Sequence, residues 1–385
     1  MAKRDRTVKP DPGSGPTHGP EPERAVPVEV AFCGPSDRDE QVQLFNQCFK
    51  KHLDVAALTW RYDENPCGAA ISALSRPHGA EGVSGYACSP RVALAFGDDA
   101  TRATVGETGD VMTHPDWRKR GLFSALDRAC MQESARRGWP LVFGLPNRRS
   151  AHIFLELGWQ GIGTLRSWTF LLRSDDNARA LRAGEGRLAA WLAPLSARRC
   201  ARARRRLVAS MSTQVERRAL AAFPPEVEAL SRVVEKRFAF MVRRDVRYLD
   251  WRFLKSPSRL HRAFGLFARD GALAGYVVVQ LPRPGETLGY LVDLLADDPA
   301  VVAAAIETAI AVLEASGASA VRATAIDGSW WKGRLEEAGF LPPKAENHLK
   351  VILWTNDAGH ALSAAARDAA RWYLTDGDRD DETMG

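Results

Sequence analysis

"HPDWRKRGLFSALDRACMQESARRG", residues His114 to Gly138, sets three cations, Arg118, Lys119 and Arg120, directly against Gly121 and then turns into a helical pattern. The residues before it, "TGDVMTH", have the β-branched and apolar content of a strand, which Pro115 ends. From Leu122 the apolar positions are Leu122, Ala125, Leu126, Ala129 and Cys130, one face of a helix. Arg136, Arg137 and Gly138 close it with the charge and the terminator that a helix C-terminus favours. "PLVFGL" then reads as the next strand, and "NRRSAHIFLELG" as a second helix ending at Gly158. The stretch is a β-α-β unit with its cations at the N-terminal end of the helix. They oppose the helix dipole there, whereas the free backbone amides at that end attract an anion. Gly121 lets a ligand approach the main chain. The pattern predicts a phosphate held by the amides from about Arg118 to Phe123, with the arginines screening its charge.

Working outward, the chain repeats itself. "LTWRYDENP" (Leu58 to Pro66) and "LDWRFLKSP" (Leu249 to Pro257) share Leu-x-Trp-Arg-aromatic and a proline six residues after Trp60 and Trp251. Each follows a helix-like run and precedes strand-like segments, "GVSGYACS" in the first and "LAGYVVVQL" in the second. "GDVMTHP" is echoed by "VDLLADDP", aligning Asp110 with Asp293, and "HIFLELGW" by "GRLEEAGF". Matches in the same order predict two copies of one α/β unit. The expected organisation is a disordered tail over 1–27, a first unit over 28–173, an arginine-rich helical insert over 174–213, a second, degenerate unit over 214–354, and a C-terminal helix with a solvated acidic tail over 355–385. The insert reads as one or two amphipathic helices broken near Gly184 and Pro194. The second copy has "LADDPAVV" where the first has cations and glycine, so a pyrophosphate is expected at the first unit alone.

Composition narrows the class. The 385 residues allow two ordinary domains, and 45% hydrophobic with 26% charged residues is a globular balance. No apolar run is long enough to span a bilayer, and the N-terminus lacks the apolar core of a secretory signal. The six cysteines form no CxxC pair and have no histidine at metal-ligand spacing, which fits a reduced, cytoplasmic protein without a metal. The net charge of +6 permits a phosphate-bearing ligand.

"VMTHPDWRKRGLFSAL" resembles the coenzyme A loop of the GNAT superfamily of N-acetyltransferases, with Arg118 and Gly121 at the positions its signature requires and Phe123 in place of its last small residue. "GLPNRRSAHIFLELGW" is similar to that family's next motif through Asn147, Ser150, Gly158 and Trp159. The tandem arrangement resembles a bacterial subgroup. The resemblance implies an α/β (α+β) fold of two GNAT-like units, each a twisted mixed β-sheet flanked by helices. It implies acetyl-CoA or another acyl-CoA as co-substrate, with the pantetheine arm between strands 107–114 and 141–146. Main-chain groups of Val111, Met112 and Thr113 would pair with that arm and Asn147 would hold it from the other side. Arg118, Lys119, Arg120, Gly121, Leu122 and Phe123 would meet the pyrophosphate, and Ser150 and Phe154 would complete the contacts. The family places a carboxylate base on the strand before the loop, for which Asp110 and Glu107 are the candidates. Its usual acid is a tyrosine, and Phe154 stands at that position.

The expected function is thus an acyl-CoA-dependent N-acyltransferase, an N-acetyltransferase first of all, acting on an amine of a small molecule or amino sugar. Two other readings stay open. Tandem units with a helical insert also resemble peptidoglycan-bridge aminoacyltransferases, which use aminoacyl-tRNA, and "ARRCARARRR" (Ala197 to Arg206) would then grip RNA phosphates. With Phe154 in place of tyrosine, the protein could instead bind acyl-CoA without turnover.

Overall fold

The computed structural model describes residues 28–49, 52–77, 81–95, 101–184, 186–211, 215–343 and 348–379. The tail expected over 1–27 lies outside them, as do the last acidic residues from Asp380 onward. Among the described residues fourteen strands form a single sheet: β1 (Val28–Phe32), β2 (Ile71–Pro77), β3 (Ser84–Ala95), β4 (Thr101–Thr113), β5 (Leu141–Gly144), β6 (Gln160–Leu171), β7 (Glu216–Leu220), β8 (Phe240–Val242), β9 (His261–Phe267), β10 (Leu273–Gln280), β11 (Leu288–Ala296), β12 (Ala320–Ile326), β13 (Leu349–Thr355) and β14 (Trp372–Tyr373). The spatial order is β1-β2-β3-β4-β5-β13-β6-β12-β11-β10-β9-β7, with β8 pairing β3 and β14 pairing β8 off this path. Both crossover pairs, β4 with β5 and β11 with β12, are parallel, each bridged by a long helix as such a connection requires.

The order is a palindrome of the repeat. Each half runs through five corresponding strands, and the last strand of each crosses over. β13 lies between β5 and β6, and β6 lies between β13 and β12. The two expected sheets are therefore one. Alternating apolar patterning brings a strand into a sheet without specifying which neighbour it takes. The tryptophans of the two WR motifs meet at the centre. Trp60 and Trp251 stack with ring centroids 4.8 Å apart, and each indole N–H donates to the other's carbonyl at 3.1 Å. One hydrophobic core runs from Trp60 across β6 and β12 into the second half.

The helix Leu122–Arg136 buries Leu122, Leu126 and Cys130 as its period requires, together with Asp127, Met131 and Ser134. Gly138, at φ 73°, ends it. The described residues of the insert form three helices, Asp176–Ala183, Arg187–Trp191 and Ala193–Ser210, the first closing at Gly184, the second opening at Gly186 and the third opening at Leu192. Cys200 and Leu207 of the last are buried, and Arg204 pairs with Glu307 at 2.8 Å and Glu314 at 2.6 Å on the helix Pro299–Ala315. A Cβ at Gly339 would collide with Ala203 of the insert, so this glycine sets how closely the insert approaches the second half.

The C-terminal segment corrects the expectation of a helix and a solvated acidic tail. The helix spans only Ala361–Ala365, and the residues from Trp372 to Asp378 are buried. Asp376 accepts the Thr324 amide at 2.6 Å, and Asp378 pairs with the buried Arg244 at 2.7 Å. Arg244 also reaches Asp293 at 3.2 Å, and Asp293 accepts the hydroxyls of Tyr276 and Thr375, each at 2.7 Å. Burial pushes the Asp376 and Asp378 carboxyls upward, against the pull of Arg379 on the first and Arg244 on the second. Composition reads this run as soluble, whereas partners more than fifty residues away in sequence make its burial tolerable.

Candidate active site

β4 and β5 pair from Gly106–Val142 to Thr108–Gly144 and no further, so among the described residues β4 continues from Gly109 to Thr113 without a strand partner on that side. On its other side Gly85 pairs with Met112 but Ala87 with Gly109, so Asp110 and Val111 share one place opposite Tyr86. This is a β-bulge, and Asp110 sits in it at φ 47°, a strained conformation for a residue other than glycine. The bulge turns the Asp110 side chain into a cleft of about 310 Å³ between the diverging strands.

Of the expected site residues, the structure gathers Glu107, Asp110, Val111, Asn147, Ser150 and Phe154 around this cleft. Asp110 pairs with Arg61 at 2.6 Å and accepts the Tyr62 hydroxyl at 2.6 Å. Glu107 is buried and committed to Arg91 at 2.6 Å. Asn147 caps the helix Arg148–Glu156, its Oδ1 accepting the Ser150 amide at 3.2 Å, while the Ser150 hydroxyl donates back to it at 3.3 Å. Phe154 is buried in an aromatic cluster with Tyr86, Phe123 and Trp159. Tyr86, the tyrosine beside Phe154, donates to Asp127 at 2.8 Å, and burial holds its hydroxyl well above the usual pKa, so it stays protonated there.

The phosphate loop forms the rim rather than the lining. Arg118, Lys119, Arg120 and Gly121 are all exposed, with Lys119 at φ 64° and Gly121 at φ 74°. Arg118 donates to the Thr113 carbonyl at 3.3 Å, and Arg120 lies over the Trp117 ring at 4.8 Å. Among the described residues no side chain caps the helix that Gly121 opens, and none comes within 4 Å of where a Gly121 Cβ would be. The helix therefore opens uncapped beside a patch of open space, directly after the three cations in sequence. Leu122 is buried and could offer only its main chain to a ligand here.

Met112 is a correction. Its carbonyl accepts the Ser84 hydroxyl at 2.9 Å and its side chain is buried, so it turns toward β3. Strand alternation then leaves Val111, which lines the cleft, to face the gap, while Thr113 lies outside the lining with its carbonyl taken by Arg118. The bulge sets this phase, and nothing in the residue types announces it. Sequence reasoning also missed Arg61, His52, Leu349 and Arg379, which line the cleft. Arg61 had a signal, since it belongs to the repeated WR motif. Leu349 and Arg379 come from the far end of the chain. His114 caps the short turn Pro115–Trp117, its Nδ1 accepting the Asp116 amide at 3.4 Å. Among the described residues no group of His, Cys, Asp or Glu is arranged to hold a metal ion, and no helix is long and apolar enough to cross a membrane.

Residues 30–162 match the family model described as an acetyltransferase (GNAT) domain. This chain therefore carries a GNAT acetyltransferase domain in its N-terminal half. Solved structures share the fold across the rest. A GCN5-related N-acetyltransferase from Kribbella flavida is 18% identical with a TM-score of 0.55, over 87% of this chain and 72% of its own. A tandem GNAT protein from the clavulanic acid biosynthesis pathway is 13% identical with a TM-score of 0.53, over 87% of this chain and 100% of its own. Saccharomyces cerevisiae N-myristoyltransferase, with bound myristoyl-CoA, is 11% identical with a TM-score of 0.55, over 88% of this chain and 81% of its own. No curated protein sequence matches. At these identities the likeness is one of fold: a mixed α/β architecture in the tandem GNAT arrangement.

Proposed function

We propose that the protein is an acyl-CoA-dependent N-acyltransferase, with acetyl-CoA as the first donor to test, acting on an amine of a small molecule or amino sugar. The observation that carries this reading is the opening of β4 from β5 beside an uncapped helix N-terminus at Gly121. Such a gap offers the main chain of Val111 to the amides of pantetheine. The rim offers free backbone amides, Arg118, Lys119 and Arg120 to a pyrophosphate. The coenzyme would supply the activated acyl group.

On this reading the acceptor amine enters where Asp110 lines the cleft, and Asp110 takes its proton, directly or through one water. Arg61 and Tyr62 hold the Asp110 carboxylate in place. Glu107, paired with the buried Arg91 beneath, supports the cleft wall. Phe154 packs and carries no proton, so the departing thiolate is protonated from solvent. One coenzyme binds per chain, in the cytoplasm.

Isothermal titration of acetyl-CoA and CoA into wild type and Gly121→Trp tests this. Micromolar binding by wild type that the variant loses supports the reading and directs a screen of amines. Absence of binding of any CoA species to the folded wild type overturns it.

A further inference from the structure

The helices Arg187–Trp191 and Ala193–Ser210 have a second face that the fold does not use. The buried side of the longer helix carries Ala193, Cys200 and Leu207, with Arg204 tied to Glu307 and Glu314. Opposite, at offsets of three, four, seven and eleven from Leu195, Arg198, Arg199, Arg202 and Arg206 form one exposed stripe. At its N-terminal end stands an apolar knob. Trp191 is 86% exposed and Leu188 75%, with Leu195 at 59% and Leu192 at 42%. Residues 186–211 contain seven arginines and no acidic residue.

An exposed tryptophan beside three exposed leucines is costly in water, and exposed apolar surface of this kind marks an interaction site. We propose that this face docks on an anionic lipid bilayer, the knob entering the boundary between headgroups and acyl chains and the arginine stripe meeting lipid phosphates. Charge selects this occupant. A second copy meeting the face about a two-fold axis would lay arginine stripe on arginine stripe. A nucleic acid would satisfy the arginines and leave Leu188, Leu192 and Leu195 in water. An anionic bilayer takes both halves of the face at once. The inference is independent of the acyl-transfer reading.

Co-sedimentation of the full chain with vesicles tests it, comparing phosphatidylcholine alone with phosphatidylcholine mixed with phosphatidylglycerol. Wild type is expected to partition onto the mixed vesicles at low salt, not onto neutral ones, and to be released as salt screens the attraction. The Arg198→Gln/Arg199→Gln/Arg202→Gln variant should lose on the order of 100-fold in partitioning, at about fivefold per arginine. The Leu188→Gln/Trp191→Gln variant should lose at least about tenfold, because the burial of two large apolar side chains is forfeited. Both variants should keep the wild-type circular dichroism and acetyl-CoA affinity. The proposal is overturned by a wild type that stays in solution with anionic vesicles at low salt. Unchanged binding of the knob variant would also overturn it, as would a wild-type dimer that the knob variant renders monomeric.

Discussion

The two halves each part a parallel strand pair beside the N-terminus of a long helix, and they fill the opening in opposite ways. In the first half the β4–β5 pairing stops at Thr108–Gly144 and leaves a cleft. In the second, the β11–β12 pairing stops at Tyr290–Arg322, and the chain's own Thr375 to Asp378 occupies the gap, Asp376 taking the free amide of Thr324. The first helix starts at an uncapped glycine directly after three cations. The second starts at Pro299 with Asp298 accepting the Ala300 amide at 2.6 Å, so its dipole already has its carboxylate. Repeated geometry makes a site only where something is left unsatisfied for a ligand to complete.

That contrast can be broken experimentally. The largest effect is expected at the paired aspartates. Asp110→Asn should lower turnover on the order of 10²–10⁴-fold with acetyl-CoA affinity intact, as removal of a general base does. Unchanged turnover would make Asp110 a structural partner of Arg61 alone. Asp293→Asn, on the corresponding strand, should leave turnover alone and cost about 2–3 kcal/mol in denaturant melts, because Arg244 loses one of its two buried carboxylates and keeps Asp378. A melt equal to wild type would show that the second half does not depend on this network.

A smaller effect is expected at Gly377. A Cβ there would stand 2.9 Å from the Phe253 ring and 3.1 Å from the Asp293 Cβ. Gly377→Val should therefore cost about 1–3 kcal/mol by overpacking and leave coenzyme affinity unchanged in titration. A coenzyme affinity that fell with it would couple the two openings.

The most gradual effect is acid sensitivity of the second half. Burial, reinforced by the Arg252 and Arg262 charges, pushes the His261 pKa down to about 3, against 6.5 for an ordinary histidine. Between those values the unfolded chain binds a proton that the folded one refuses. The stability from a neutral His261 is thus complete above pH 6.5 and declines as pH falls toward 3, by at most about 1.4 kcal/mol per pH unit. Melts of His261→Gln across this window should be flatter than wild type by that slope. Parallel curves would place the acid sensitivity elsewhere.

Much of this was legible before any coordinates. The WR motifs announced the repeat, though not that their tryptophans stack on one another. The helix face over Leu122 to Cys130 and the glycines after it were set by local periodicity and capping chemistry, which act within a few residues. Most of what escaped depends on distance along the chain. Asp376 and Asp378 read as solvent-facing because Arg244 and Thr324 are far away in sequence. Met112 turns toward β3 because a bulge two residues earlier shifts the phase. The exchange of β6 and β13 was invisible because both carry a pattern that suits either partner.

That exchange governs the order of manufacture. Ile352 of β13 registers against Gly144 of β5, partners roughly 200 residues apart, a separation that slows the closing of a contact. On the ribosome β5 must therefore wait, one edge open, while the whole second half is synthesised. The wall of the cleft that carries Asn147 is completed by one of the last strands made, so a truncated product would have no finished cleft with which to sequester coenzyme.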